Sequence, residues 1–174
     1  GSVAALCGAL SASLNSMVAN LSIGKKKWFN VYEQMCSISE DSQELKRSLV
    51  ILIDDDSKSF DLVMAAFRIS KNDKNRDEKI LEAYKFAVEV PFKTLDLCLK
   101  TIKLSSKVIQ IGNENAISDA AVAAEVASAG AYSASYNIKI NLNEINDDKY
   151  CKSISSKCSK ILDNIDLHLN NVRV

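Results

Sequence analysis

The longest regular pattern of apolar residues in the chain runs from Leu45 to Arg68. At about 100° per residue, as in an α-helix, its apolar side chains share one face: Leu45, Leu49, Leu52, Ile53, Phe60, Val63, Met64 and Phe67. The pattern predicts a helix that packs this face on the core. Asp56 lies in the middle of the face, whereas Asp54 and Asp55 point to its flanks. A carboxylate among apolar side chains needs a partner or a function, so Asp56 is either a catalytic acid or base, or an acid neutralised by a Lys or Arg of another helix.

The remaining periodicity divides the chain into further helices. They are predicted over Gly1 to Gly24, Trp28 to Glu40, Ser42 to Arg68, Arg76 to Ile111, Asn115 to Asn141 and Tyr150 to Val172. Pro91 is expected to kink the fourth helix, and Gly112 to close it as a C-terminal cap. One proline and five glycines leave few turn residues for a sheet. The chain is therefore predicted to be all-α, a single-domain bundle of long antiparallel helices over residues 1–174.

Two of these helices carry faces of small residues. Gly1, Ala5, Gly8, Ala12, Ser16 and Ala19 share one face of the first helix. A second face is small in the middle and polar at both ends, and it contains Asn115, Asp119, Val122, Val126, Gly130, Ser133, Asn137 and Asn141. Its polar ends indicate either hydrogen bonds between helices or a ligand pocket. Because small faces let backbones approach closely, we expect a homodimer or a higher oligomer, with its sites near the interface.

The first helix also resembles a membrane span in composition. It has no charged residue, and Lys25, Lys26 and Lys27 follow it. Seven Ser and Asn residues interrupt its apolar character, which favours burial by protein over burial by lipid. No membrane partner is expected.

Charge and reactive side chains exclude several classes of function. The 22 basic and 22 acidic residues give no net charge and no electrostatic field to attract nucleic acid. The five cysteines are scattered and form no C-x-x-C pair, which favours reduced thiols and a cytoplasmic location. His168 is the only histidine, so neither a metal site nor a Ser-His-Asp triad is expected. Catalysis would have to use carboxylates, lysines, amides or hydroxyls.

Three stretches resemble the motifs of one enzyme family. They are GSVAALCGALSASLNSMVANLSIGKKKW, LIDDDSKSFDLVMAAFRISK and NAISDAAVAAEVASAGAYSASYNIKINL. The first resembles a Gly-Gly-Gly-Ser segment followed by a small-residue helix, a Gly and two basic residues. The second resembles Asp-x-Asp-x-x-x-Phe and Ala-x-(Arg or Lys)-Leu-Pro-Lys, and the third resembles Asn-x-x-Ser-Asp and Asn-Val-x-Ile-Asn-Leu. In order and spacing, the chain resembles the formimidoyltetrahydrofolate cyclodeaminase family, whose relatives include methenyltetrahydrofolate cyclohydrolases.

The chain departs from the family pattern at two places. The family begins with a further helix and a complete Pro-x-Pro-Gly-Gly-Gly-Ser loop, whereas this chain opens at Gly1 and Ser2. A loop that contributes to the pocket is therefore expected to be absent. Ser70 stands where the family has the Pro of Leu-Pro-Lys, although Arg68 and Lys71 remain.

The resemblance implies roles for particular residues. The catalytic carboxylate of the family is the second Asp of Asp-x-Asp, which matches Asp56. The residues implied to bind substrate are Ser2, Lys25, Lys26, Asp54, Arg68, Lys71, Asn115, Ser118, Asp119, Asn137 and Asn141. The lysines and Arg68 are the candidates for holding a glutamate tail, and the amides and Asp residues for orienting the pterin.

The activity implied first is conversion of 5-formimidoyltetrahydrofolate to 5,10-methenyltetrahydrofolate with release of ammonia. The substrate is a tetrahydrofolate derivative, and no tightly bound cofactor is expected. A methenyltetrahydrofolate cyclohydrolase is the alternative, because it needs the same pocket. A non-catalytic helical dimerisation module is the alternative from another class. The resemblance also implies a helical homodimer.

Overall fold

The structure is a computed structural model that describes residues 1–173, and over this range it contains helices and no strand. Five long helices are present: α1 (Ser2–Ser22), α2 (Tyr32–Phe67), α3 (Arg76–Ile111), α4 (Ile117–Leu142) and α5 (Asp148–Asn170). Short 3₁₀ segments at Lys26–Val31 and Glu114–Ala116 precede α2 and α4. The predicted all-α class is confirmed.

Helices α1 to α4 form a bundle in which helices consecutive in the chain are neighbours and run antiparallel. α1 packs between α2 and α4, with α3 on the far side, and α5 covers the outside of α3 and α4. The direction of α4 against α1 follows from two hydrogen bonds: Ser11 Oγ donates to the carbonyl of Ala123, and Asn113 Nδ2 donates to the carbonyl of Leu21. The C-terminal end of α4 therefore lies beside the N-terminal end of α1.

The predicted break between a short and a long helix near Asp41 is wrong. α2 runs without interruption from Tyr32 to Phe67, and only Lys26–Val31, which includes Trp28, forms a separate short segment. The polar residues around Asp41 include neither Gly nor Pro, so nothing in the backbone ends the helix there. The chain reverses instead at Gly24, whose φ of 77° suits glycine.

The apolar face of α2 meets the core along only half of its length. Leu49 and Leu52 are buried, but Phe60, Met64 and Phe67 remain exposed. Within the described residues, α1 lies beside α2 only as far as Asp56, which Ser2 contacts. The prediction that the whole stripe faces the core is therefore wrong for its second half.

The glycines of the two small-residue faces are packed inside the chain. A Cβ atom at Gly130 would lie 2.8 Å from the carbonyl oxygen of Ala4, and one at Gly8 would lie 2.9 Å from the Leu49 side chain. The small face of α1 is therefore used against the other helices and is not free to pair two subunits. On α4, Val122 remains exposed, and the homodimer itself stays a prediction.

Polar groups on the inner side of α1 are hydrogen-bonded to neighbouring helices. Asn15 Nδ2 donates to the carbonyl of Thr101 at 2.9 Å, and Asn15 Oδ1 accepts from Ser105 Oγ at 2.9 Å. Ser16 Oγ lies 3.1 Å from Ser39 Oγ. These bonds satisfy the buried amide and hydroxyls of α1, which contains no charged side chain.

In the structure, α1 also has the length and composition of a membrane-spanning helix. Its 21 residues are long and apolar enough to cross a membrane, with a mean hydropathy of 1.5, and 56% of the tested window is buried within the bundle. A core helix passes the same test of length and composition. The absence of a membrane partner stays a prediction.

Helix α3 has the predicted bounds and continues through Pro91. Gly112 ends the helix as its C-cap, as predicted, and its N–H donates to the carbonyl of Val108; its conformation is extended, with φ −85° and ψ −168°. A Cβ at Gly112 would lie 2.5 Å from the carbonyl oxygen of Val108, and this close approach is what favours glycine there. The five cysteines, all within the described range, are free.

Candidate active site

Asp56 lies at the N-terminal end of α1. Its Oδ2 accepts hydrogen bonds from the backbone N–H of Ser2 at 2.7 Å and from the Ser2 hydroxyl at 2.8 Å. The side chain of Asp56 is 25% exposed, so it is neither in the apolar core nor paired with a Lys or Arg of another helix. The first free N–H groups of a helix attract an anion, and this explains why an acid occupies the face of α2 that meets α1.

The residue before α1 must be small for this contact to form. A Cβ at Gly1 would lie 1.8 Å from Asp56 Oδ1, so a larger residue there would displace the carboxylate from Ser2. Ser2 Oγ also donates to the carbonyl of Ile53 at 3.2 Å, so the same hydroxyl is held by both an acid and the backbone of α2. Gly1 and Ser2 therefore fix the position of the Asp56 carboxylate.

A groove opens beside Asp56, between α2, α3 and α4. It has a volume of about 590 Å³ and is lined by Asp56, Ser57, Ser59, Phe60, Asp61, Val63, Tyr84, Ala87, Asn137, Ile140, Asn141 and Glu144. Three residues that the sequence singled out, Asp56, Asn137 and Asn141, thus meet at one opening, with Ser2 next to them. An opening of this size suits a small organic ligand.

The two asparagines are held in place by hydrogen bonds. Asn141 Nδ2 donates to the carbonyl of Ala87 on α3 at 2.6 Å, and Asn137 Nδ2 donates to the carbonyl of Ser133 one turn earlier on α4 at 2.9 Å. Asn137 Oδ1 lies 3.4 Å from the nitrogen of Gly1. Hydrogen bonding between helices is therefore confirmed for Asn141, and the ligand pocket at this end of the face stays a prediction.

Sequence reasoning missed Phe60, Tyr84 and Glu144 as groove residues. Phe60 and Tyr84 carry the apolar periodicity of core residues, and Glu144 follows α4 in a turn, so no local signal marks them. Burial, followed by the negative charge of Glu144, raises the pKa of Tyr84. The Tyr84 hydroxyl therefore keeps its proton and can donate a hydrogen bond in the groove.

A second group of predicted residues lies at the opposite end of α1. Lys25 and Lys26 follow the C-terminus of α1, and Asn115, Ser118 and Asp119 stand at the start of α4. The length of α1, about 30 Å at roughly 1.5 Å per residue, separates them from Asp56. Within one chain, these five residues do not belong to the groove.

Three more predicted residues lie near the groove without lining it. Asp54 is exposed on the flank of α2, two residues before Asp56. Arg68 and Lys71 are exposed at and beyond the end of α2, about 18 Å along the helix from Asp56 at the usual rise per residue. Their proposed contacts with substrate stay predictions.

The geometry supplies a fixed carboxylate and neutral hydrogen-bonding groups. Asp56 Oδ2 is occupied by Ser2, whereas Oδ1 accepts no hydrogen bond from residues 1–173. Within these residues no group of His, Cys, Asp and Glu could hold a metal ion. Such a site is suited to moving protons at a bound ligand, because a positioned carboxylate can accept and return one.

Comparison with known proteins gives a consistent result over nearly the whole chain. The sequence profile of the family described as Formiminotransferase-cyclodeaminase matches residues 1–160. The chain is 40% identical over 156 residues to a methenyltetrahydrofolate cyclohydrolase of Methylorubrum extorquens, covering 87% of this chain and 75% of that protein. It is 29% identical over 166 residues to a formimidoyltransferase-cyclodeaminase of Rattus norvegicus, covering 93% of this chain but only 31% of that longer protein.

A solved structure has the same fold. The chain superposes on formiminotetrahydrofolate cyclodeaminase of Thermotoga maritima with a TM-score of 0.93 and 28% sequence identity, covering 99% of this chain and 84% of that one. The likeness includes the whole helical bundle.

Proposed function

The chain belongs to the formiminotransferase-cyclodeaminase family of folate one-carbon enzymes, and we propose that it acts on the carbon atom that joins N5 and N10 of tetrahydrofolate. The observation that carries the proposal is the Asp56 carboxylate, held by Ser2 at the mouth of a groove that also contains two asparagine amides. The proposed reaction is hydrolysis of 5,10-methenyltetrahydrofolate to 10-formyltetrahydrofolate.

The identity with relatives favours hydrolysis. At 40%, the identity to the Methylorubrum cyclohydrolase exceeds the 28–30% found with the vertebrate cyclodeaminases, and the chain covers most of the cyclohydrolase but about a third of those proteins. The sequence motifs implied cyclodeamination as the first activity and hydrolysis as the alternative, whereas the identities place hydrolysis first. The two activities use the same carbon atom, so the groove serves either.

In the hydrolytic reaction, Asp56 handles the protons. A water oxygen bonds to the methenyl carbon while Asp56 Oδ1 accepts one proton of the water. The bond from N5 to this carbon then breaks, the hydroxyl loses its proton as the formyl C=O forms on N10, and N5 takes up a proton. One proton is released overall. A positioned carboxylate typically contributes about a hundredfold or more to such a step.

Cyclodeamination is the second candidate, and the Thermotoga structure favours it because it superposes over 99% of this chain. Here N10 bonds to the protonated formimidoyl carbon, and Asp56 takes the N10 proton. Transfer of this proton to the exocyclic nitrogen lets ammonia leave, and 5,10-methenyltetrahydrofolate remains. Both reactions need the same carboxylate at the same carbon.

We also propose that the enzyme is a cytoplasmic homodimer without a tightly bound cofactor. The support for a dimer is an apolar surface on α1, where Val3, Leu6, Leu10, Met17 and Leu21 are each at least 40% exposed. Large exposed apolar patches mark association surfaces in soluble proteins. Arg68 and Lys71, beyond the groove, remain candidates for contacting the glutamate tail of a folate.

Ultraviolet assays separate the candidate functions. The purified chain is expected to convert methenyltetrahydrofolate faster than formimidoyltetrahydrofolate, and Asp56→Asn to reduce turnover at least roughly a hundredfold with unchanged circular dichroism. Asp55→Asn is the matched control, because Asp55 pairs with Lys58 on the surface and should keep normal turnover. A chain that turned over neither substrate would favour the non-catalytic dimerisation module, and full activity of Asp56→Asn would remove Asp56 from the mechanism.

A further inference from the structure

The groove beside Asp56 carries negative charge and no positively charged side chain. Three of the twelve residues that line it are acids, Asp56, Asp61 and Glu144, and none of the twelve is a Lys, Arg or His. The other polar side chains of the groove are hydroxyls and amides, which are neutral. The groove is therefore electronegative, although the chain as a whole has no net charge.

Three lysines are adjacent in sequence to groove residues, but none of them lines the groove. Lys58 Nζ lies 3.0 Å from Asp55 Oδ1, and Lys85 Nζ lies 3.3 Å from Asp147 Oδ2. Both of these ammonium groups pair with acids outside the groove. Lys139 is exposed on α4. The negative charge inside the groove is therefore not neutralised by the lysines beside it in the sequence.

Asp61 and Glu144 border the groove from different helices, since Asp61 lies on α2 and Glu144 follows the end of α4. Both are exposed, and over residues 1–173 neither forms a salt bridge. The charge of Glu144 acts inside the groove, because, after burial, it is the second cause that raises the pKa of Tyr84. Two acids that Ser2 does not hold are thus available to a ligand.

The substrates of the two candidate reactions share a positive charge at the reacting carbon. In 5,10-methenyltetrahydrofolate this charge is spread over N5, the carbon and N10. The formimidoyl group is an amidine, and amidines are protonated at neutral pH. The formyl product of hydrolysis has no charge at this carbon. Because the walls of a groove exclude water, they strengthen the attraction between a carboxylate and such a cation.

We propose that Asp61 and Glu144 select folates by the charge of the one-carbon unit, favouring the cationic methenyl and formimidoyl forms over the neutral formyl form. The inference rests on the proposed folate function, in which Asp56 moves the protons. Hydrolysis removes the positive charge, so the product loses this attraction and leaves. The attraction acts on the bound substrate and not on the attacking water, so loss of either acid raises KM more than it lowers kcat.

A matched pair of ligands isolates the effect of this charge. 5,10-Methenyltetrahydrofolate and 5-formyltetrahydrofolate have the same pteridine ring system and the same glutamate tail, but only the first has a cationic one-carbon unit. Titration calorimetry measures the binding of each to Asp56→Asn, whose slow turnover limits hydrolysis during the titration. Adding Glu144→Gln is expected to raise the Kd of the methenyl compound about fivefold and to change that of the formyl compound less than about twofold. Asp61→Asn is expected to act in the same direction.

Glu33→Gln is the matched control, because it removes the same charge far from the groove. Glu33 is exposed at the start of α2, about 35 Å along the helix from Asp56 at roughly 1.5 Å per residue. This separation is several Debye lengths at physiological salt, so both dissociation constants should stay unchanged. With Asp56 intact, Glu144→Gln is expected to raise KM for the methenyl compound about fivefold and to keep kcat within about twofold.

The two ligands together give results that would overturn the proposal. Equal weakening of both by Glu144→Gln means that Glu144 binds the pteridine ring, and equal tightening means that the anionic tail lies beside it. Unchanged binding in Glu144→Gln and in Asp61→Asn, or binding of neither ligand to Asp56→Asn, also overturns it. The proposed function fails separately: the wild-type chain then turns over neither folate, and calorimetry still decides whether the groove prefers the cation.

Discussion

The inner and outer faces of α1 differ in a way that reverses the usual relation between side-chain size and burial. The inner face consists of Ala, Gly, Ser and Asn with a single larger apolar residue, Val18, and it is buried against three helices. The outer face has the large apolar residues, such as Leu6, Leu10 and Met17, and these are exposed. Close packing of a central helix requires small side chains, so the large ones remain for a different surface.

The difference between the two faces of α1 predicts that a larger side chain destabilises the fold only where it enters the packed interior between helices. Gly130→Val on α4 places its side chain against the carbonyl oxygen of Ala4, 2.8 Å from the new Cβ. We expect the free energy of unfolding to fall by about 3 kcal/mol or more, because neither backbone can move without disturbing the bundle. Urea unfolding followed by circular dichroism measures the change.

The neighbouring position provides the control for volume. Ala129 is exposed on the same helix, so Ala129→Val should change the free energy of unfolding by less than about 1 kcal/mol. Equal stability of the two variants would mean that α1 and α4 are not packed as closely as the structure has them.

The second prediction concerns polar groups on the inner face. Asn15→Ala removes the donor to Thr101 and the acceptor for Ser105, and both partners are buried. We expect a loss of about 1–3 kcal/mol in the free energy of unfolding, since the buried Thr101 carbonyl and Ser105 hydroxyl each lose a hydrogen-bond partner. Thermal and urea unfolding provide the measurement.

Asn20→Ala is the comparison for this variant. Asn20 is exposed and makes one long hydrogen bond, 3.4 Å from its Nδ2 to Ser16 Oγ. Asn20→Ala should lower the free energy of unfolding by much less than Asn15→Ala does. If the two substitutions have the same effect, the interior hydrogen bonds do not stabilise the position of α1.

The third prediction tests whether the outer face of α1 forms the proposed dimer interface. Leu10→Asp should leave the stability of the folded chain within about 0.5 kcal/mol, since Leu10 is 53% exposed. It should raise the dissociation constant of the proposed dimer at least about tenfold, equivalent to roughly 1.4 kcal/mol, because it puts a carboxylate into the proposed apolar interface. Sedimentation velocity over a range of concentrations measures the dissociation.

Leu167→Asp is the matched control, because Leu167 is 59% exposed on α5, away from the outer face of α1. It should associate as the unchanged chain does. If Leu167→Asp weakens association and Leu10→Asp does not, the outer face of α1 is not the interface.

Asp56 illustrates how far sequence reasoning reaches at the candidate site. Helical periodicity distinguished it from Asp54 and Asp55, and the family motif pointed to the same residue. Its environment was predicted incorrectly, because the stripe of Leu, Ile and Phe suggested a core. The carboxylate instead meets the first N–H groups of α1 through Ser2, a contact between residues 54 positions apart that no local pattern encodes.

Local patterns by themselves determined the helical class and the approximate bounds of α3, α4 and α5. They also showed that Asp56, rather than Asp54 or Asp55, lies on the inward face of α2. Both follow because helix formation depends on residues within a few positions of one another. Tertiary structure decided which face of α1 is buried, how far α2 remains covered, and which polar residues share a groove. These outcomes depend on where one helix ends beside another. The small face of α1 is buried because only Gly, Ala and Ser let three helices approach it together, and that requirement exists only once the other helices are in place.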